Sequence, residues 1–163
     1  MIRVNQAGEY GAKVIYAGQA AVIGTRHPIH DKISEMATQE QHHLDVFNAM
    51  ITARGVRPTL LQPFWHVAGY ALGAATALIG PKAAMACTVA VETEIDLHYA
   101  AQLGDLGDDD PELSSAIREF KAEELEHKQI ALDAGAEEAP AYPLLSVAIR
   151  LACKAAIAIA ARI

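Results

Sequence analysis

Glu40-Gln41-His42-His43 and Glu124-Leu125-Glu126-His127 decide how this 163-residue chain is read. Each is a Glu-x-x-His element, and the two stand 84 residues apart. A pair of such elements is not improbable by chance in a chain this rich in Glu and His, so the surroundings carry the argument. Around the first, Ile33, Met36, Glu40, His43, Phe47 and Met50 step by three and four. Around the second, Leu113, Ile117, Phe120, Glu124, His127, Ala131 and Ala134 do the same. That period belongs to a helix with one apolar face, and it puts each Glu–His pair in the middle of the buried stripe. The 84-residue shift also carries Ile33 onto Ile117 and Met36 onto Phe120. A shift of 83 carries Glu9 onto Glu92 and Tyr16 onto Tyr99. The chain reads as two helix pairs, each giving a Glu from its first helix and Glu-x-x-His from its second.

The punctuation agrees. Helices are predicted over Val4–Val22, Pro28–Ala53, Pro63–Ile79, Pro81–Leu103, Pro111–Ala134 and Tyr142–Ala161, broken by Gly24, by Gly55 with Pro58, by Gly80-Pro81 and by Ala139-Pro140. Asp110 is a natural N-cap ahead of Pro111. The acidic run Gly104 to Asp110 lacks the ligand order of a calcium loop and reads as a solvated turn. The fold class is all-α, with six helices in one domain over residues 1–163: a four-helix bundle carrying two additional apolar helices.

Composition sets the outer limits. Hydrophobic residues make up 52% and charged residues 20%, which excludes a disordered chain. A net charge of −7 argues against nucleic acid as a partner. Cys87 and Cys153 are isolated thiols with no CxxC, so neither a disulfide framework nor a structural zinc site is expected. The third and sixth predicted helices are more apolar than a bundle of this size needs. The sixth carries Ser146, Arg150 and Lys154 as one narrow polar stripe, and both are expected to lie in a membrane interface with the basic groups reaching lipid phosphates. No signal peptide is read, because Met1 leads straight into Arg3-Val4-Asn5-Gln6. Helical pattern begins at once, as it does where a natural chain starts further upstream.

Four carboxylates and two imidazoles on buried stripes are costly without compensation, and the same stripes hold no Lys or Arg. Metal cations fit: four glutamates supply the charge that two divalent ions neutralise. Oxygen donors with imidazole suit iron or manganese, and this donor set is that of ferritin-like di-iron carboxylate bundles. The candidate metal ligands are Glu9, Glu40, His43, Glu92, Glu124 and His127. His98 and Asp96 are candidates for orienting them, and Tyr16 and Tyr99 read as core residues whose hydroxyls find partners near the site. His27 and His30 read as turn residues, and His66 faces either an interface or a quinone head.

Further stretches add a resemblance. Asn5-Gln6-Ala7-Gly8-Glu9-Tyr10-Gly11-Ala12, Gln39-Glu40-Gln41-His42-His43-Leu44, Ala84 through Glu92, Glu123-Glu124-Leu125-Glu126-His127 and Ala139-Pro140-Ala141-Tyr142 resemble the demethoxyubiquinone hydroxylases of ubiquinone biosynthesis over nearly the whole chain. The family's N-terminal leader is missing. The resemblance implies a membrane-associated, ferritin-like di-iron monooxygenase with two iron ions on the same six ligands. It places His98 and Tyr99 near the iron as a pair. It also implies hydroxylation of the ring of a polyprenylated demethoxyquinol by O2, with NADH as the external reductant. The expected location is peripheral, on the cytoplasmic face of the bacterial inner membrane or on the matrix side of the mitochondrial inner membrane. Ubiquinone-biosynthesis protein partners and a homo-oligomer go with that setting. No Gly-x-Gly-x-x-Gly is present for a Rossmann site. The competing readings are a ferritin-like iron oxidase or peroxidase, a di-iron quinol oxidase and a non-enzymatic membrane scaffold.

Overall fold

The computed structural model describes residues 1–162. Six helices follow one another: α1 (Ile2–Ile23), α2 (Ile29–Ala53), α3 (Gln62–Ile79), α4 (Pro81–Leu106), α5 (Pro111–Asp133) and α6 (Tyr142–Ala160), with a 3₁₀ turn at Ala136–Glu138. No strand occurs among the described residues. α1 with α2 and α4 with α5 form two hairpins joined by short turns. α3 is the long crossover between them, which ferritin-like bundles carry once.

Packing orders the helices in three layers. α1 and α4 form the middle, α2 and α5 cover one side, and α3 and α6 cover the other. The core along α2 changes character twice. Ile33 and Met36 belong to one apolar cluster with Tyr16, Met85 and Val89, while Phe47 and Met50 belong to another with Tyr99, Ile117 and Phe120. Glu40 and His43 lie between the two, so apolar packing above and below holds the polar level at a fixed height.

Two expectations are corrected. α4 runs one turn past Leu103, because Leu103 and Leu106 still pack on the second cluster and the helix ends only at Gly107, whose φ of 50° suits glycine. The polar stripe of α6 turns toward α4 at Arg150, while Lys154 stays largely exposed. Arg150 Nε donates to Glu94 Oε1 of α4 at 2.5 Å, and Lys154 lies 3.9 Å from the same carboxylate. α6 therefore presents its apolar flank outward, with Leu144 72% exposed and Val147 and Leu151 beside it. Phe64, Val67 and Leu78 of α3 are exposed in the same layer.

α1 and α3 approach backbone to backbone. A Cβ on Gly73 would collide with the Ile15 carbonyl, and one on Gly18 with the Tyr70 carbonyl. The α4–α5 turn is held differently. Asp110 accepts from the Leu113 amide at 3.1 Å and pairs with Arg54, the residue that follows α2. The Arg54 guanidinium holds the Asp110 carboxyl below the usual carboxylate range. A carboxyl depressed in the folded state stabilises above its unfolded pKa of about 4, and that contribution is lost as pH falls through the folded value. Asp110→Ala is expected to cost about 1 kcal/mol at pH 7. The gap between wild-type and variant urea midpoints narrows as pH is lowered below about 4.

Candidate metal centre

The four helices of the bundle each contribute to one enclosed polar level. α1 supplies Glu9, α4 supplies Glu92, and the i,i+3 pairs Glu40–His43 and Glu124–His127 come from α2 and α5. All six are at most 1% exposed. Glu9, Glu40, His43 and Glu124 offer one donor atom each within 4.8 Å of one another, and so do Glu40, Glu92, Glu124 and His127. The two sets share Glu40 and Glu124. The sequence-predicted ligands thus converge as two overlapping tetrads that share two carboxylates.

Of the donor atoms aimed into this space, His127 Nδ1 and Glu124 Oε2 meet each other at 3.1 Å and most of the rest lack partners. Glu9 Oε2, both oxygens of Glu40, Glu92 Oε2, Glu124 Oε1 and His43 Nδ1 are buried without a hydrogen bond. Their outward atoms are held: Tyr16 Oη donates to Glu92 Oε1 at 2.6 Å, and Tyr99 Oη donates to Glu9 Oε1. The tyrosines cross, each serving the glutamate of the other helix. Burial, then the charge of Glu92, keeps the Tyr16 phenol protonated well above its ordinary range, so it stays a donor.

The electrostatics point the same way. Burial is the largest influence on every carboxyl here. It pushes Glu40 and Glu92 well above the carboxylate range and raises Glu9 also, with the Glu124 charge adding to each. Burial raises Glu124 too, but hydrogen bonds from His127 and His43 outweigh it and bring its carboxyl to about 2. Burial opposes protonation of the imidazoles. Hydrogen bonds to Glu124 and to Glu9 or Glu40 overcome it, carrying His43 to about 11 and His127 to about 9. No Lys or Arg pairs with the four glutamates among the described residues. Protons are favoured on most of these groups, and cations compete with protons at such sites. The residues present fit a pair of divalent cations of oxygen and nitrogen preference.

The remaining candidates fall elsewhere. His98 Nε2 lies 2.7 Å from Gln102 Nε2 and 3.3 Å from Asn5 Oδ1, beside Tyr99, and burial lowers its pKa. Asp96 pairs with Lys121 at 2.5 Å, and His66 hydrogen-bonds Tyr10 at 2.9 Å. Two residues outside the candidate set touch the histidines: Glu123 on His43 and Gln39 on His127. Their signal was their register, since each immediately precedes a motif Glu and the 84-residue shift relates them.

An apolar cavity of about 320 Å³ lies between the middle layer and α3 and α6. Gly8, Gly11 and Ala12 of α1 and Val91 and Ile95 of α4 line it, flanking Glu9 and Glu92 in sequence. Glu94 is its one charged lining residue, held by Arg150.

Comparison with known proteins identifies the family. A family profile described as "Ubiquinone biosynthesis protein COQ7" matches residues 1–160. The 3-demethoxyubiquinol 3-hydroxylase of Rhodospirillum rubrum is 51% identical over 162 residues, covering 99% of this chain and 76% of the relative. The mitochondrial NADPH-dependent 3-demethoxyubiquinone 3-hydroxylase of Homo sapiens is 50% identical over 167 residues, covering 100% and 76%. The mitochondrial 5-demethoxyubiquinone hydroxylase of Saccharomyces cerevisiae is 41% identical over 179 residues, covering 100% and 77%. With the matching profile spanning nearly its whole length, this chain belongs to the ubiquinone biosynthesis protein COQ7 family.

Proposed function

We propose that this chain, acting as a single ferritin-like unit over residues 1–163, is an O2-dependent monooxygenase that hydroxylates the ring of a polyprenylated demethoxyquinol. Glu9, Glu40, His43, Glu92, Glu124 and His127 would hold two iron ions. The observation that carries this reading is the pair of overlapping donor tetrads whose inward oxygens have no other partner. The relatives' names supply the substrate class.

The reaction replaces a ring C–H by C–OH, and the second oxygen atom leaves as water. That balance needs two electrons and two protons from an external reductant. The resemblance suggested NADH, and the names of the mammalian relatives give NADPH. A bound iron pair supplies the dioxygen chemistry. The protein's own part is positional. Tyr16 and Tyr99 fix the outer oxygens of Glu92 and Glu9. The wall of Gly8, Gly11 and Ala12 leaves room for a flat ring and its first isoprene units while keeping water out. A volume near 320 Å³ is at the lower end of small-ligand pockets, roughly 300–1,000 Å³. The rest of the tail stays outside, where lipid is its natural solvent, at about 0.8 kcal/mol for each CH₂ kept from water.

The outward apolar faces of α3 and α6 support docking on a bilayer surface. α6 is long and apolar enough to cross a membrane by length and composition alone. Its tie to Glu94 and its side-on packing against α4 favour a helix lying in the interface. The eukaryotic relatives' names say mitochondrial. The location that follows is the cytoplasmic face of a bacterial inner membrane, or the matrix face of a mitochondrial inner membrane.

Three experiments test this. Purified protein given demethoxyquinol, O2 and reductant is expected to yield a quinol heavier by one oxygen atom, read by mass spectrometry. Oxygen consumption with unchanged quinol mass sinks the hydroxylase reading in favour of an oxidase. Glu92→Ala is expected to lose both iron at the pair site and activity, and full activity in that variant refutes the ligand assignment. In vesicle co-sedimentation, Val67→Glu combined with Leu151→Glu is expected to release the protein to the supernatant while iron content stays at the wild-type level. Unchanged sedimentation refutes the docking face.

A further inference from the structure

The groups hydrogen-bonded to the six ligands repeat across the two helix pairs with one exception. Tyr16 of α1 serves Glu92 of α4, and Tyr99 of α4 serves Glu9 of α1. The histidines are crossed in the same way. His43 of α2 reaches Glu123 of α5, with Nε2 2.6 Å from Oε2, and His127 of α5 reaches Gln39 of α2, with Nε2 2.7 Å from Oε1. Glu123 and Gln39 sit at equivalent positions, yet one is a carboxylate and the other a neutral amide.

Both contacts do the same geometric work. A carboxylate or amide oxygen only accepts, so each Nε2 must carry hydrogen and donate. Each Nδ1 is then turned into the centre. His43 Nδ1 lies 3.3 Å from Glu124 Oε1 and 3.5 Å from Glu9 Oε2, and His127 Nδ1 lies 3.1 Å from Glu124 Oε2 and 3.3 Å from Glu40 Oε1. A hydrogen bond behind a ligating imidazole fixes its tautomer and orientation and raises its basicity, and a carboxylate does the last more strongly than an amide. Glu123 has no Lys or Arg partner among the described residues. Its one ion-pair contact is His43, at 32% exposure of its own side chain. In a chain of net charge −7, this acid is aimed at the imidazole and at nothing else.

We infer that Glu123 and Gln39 are positioning residues that make the two metal positions unequal, so that the position of Glu9 and His43 binds its cation more tightly and fills before that of Glu92 and His127. The inference rests on the metal-pair reading above. It concerns the inequality of the two positions, which that reading does not require.

The test is anaerobic titration of the metal-free protein with ferrous iron alone, following binding by calorimetry and each position by Mössbauer spectroscopy. Wild type is expected to bind two ions in separate steps with distinct doublets. Glu123→Gln makes the two partners alike. The tighter step is expected to weaken by about tenfold or more while the weaker step holds, the usual scale for losing such a partner. Gln39→Glu is expected to tighten the weaker step on the same scale. The double exchange Glu123→Gln with Gln39→Glu is expected to reverse which doublet appears first, an outcome that general loosening of the bundle cannot produce. Two equal steps in wild type overturn the inference while leaving the metal pair standing, and so does a double exchange that fills in the original order. Fewer than two ions bound by wild type defeats the metal-pair reading itself, and the inference falls with it.

Discussion

Four carboxylates are enclosed in this bundle with no Lys or Arg against them among the described residues, only the imidazoles of His43 and His127. Stripping water from even one unpaired carboxylate costs several kcal/mol, and the bundle encloses four within one level. Burial shifts Glu40 and Glu92 toward the protonated form, and hydrogen bonds to the glutamates shift both imidazoles the same way. The rest of the architecture serves that level. Apolar clusters close it above and below, and the tyrosines satisfy only those oxygens that face away from the centre. Such a level is unfavourable for a bundle on its own and favourable for one that is to hold cations, so folding energy has been traded for a site.

The middle layer separates two solvents. On one side of α1, Glu9 looks into the polar centre. On the other, Gly8, Gly11 and Ala12 face an apolar cavity. α4 does the same with Glu92 on one side and Val91 and Ile95 on the other. The apolar cavity and the polar level thus lie on opposite sides of a single layer of helix, and the α1 residues lining the cavity there are small.

Much of this was legible because helical periodicity and metal chemistry constrain the same residues. An acid or imidazole in the middle of an apolar stripe is expensive, so Glu9, Glu40, His43, Glu92, Glu124 and His127 stood out, and the repeat tied them together. What periodicity cannot give is the neighbour across a helix boundary. The α6 stripe was visible as Ser146, Arg150 and Lys154. Its direction depends on Glu94, an acid of α4 that nothing local marks as buried. Glu123 and Gln39 escaped for a related reason. They lie beside the stripes at half-buried positions, where a polar residue needs no explanation, and their role appears only once α2 and α5 are set face to face. The extra turn of α4 was hidden by Gly104, which reads as a breaker yet sits at an exposed helical position where it does little harm.

The glycine contact between α1 and α3 has a mechanical consequence. With Gly18 against Tyr70 and Gly73 against Ile15, the two backbones touch with no side-chain cushion between them. Cushioned helices slide by rotamer changes, whereas these have no slack to take up. A side chain at either glycine would wedge the crossover bearing Phe64, Val67 and Leu78 away from the rod bearing Glu9.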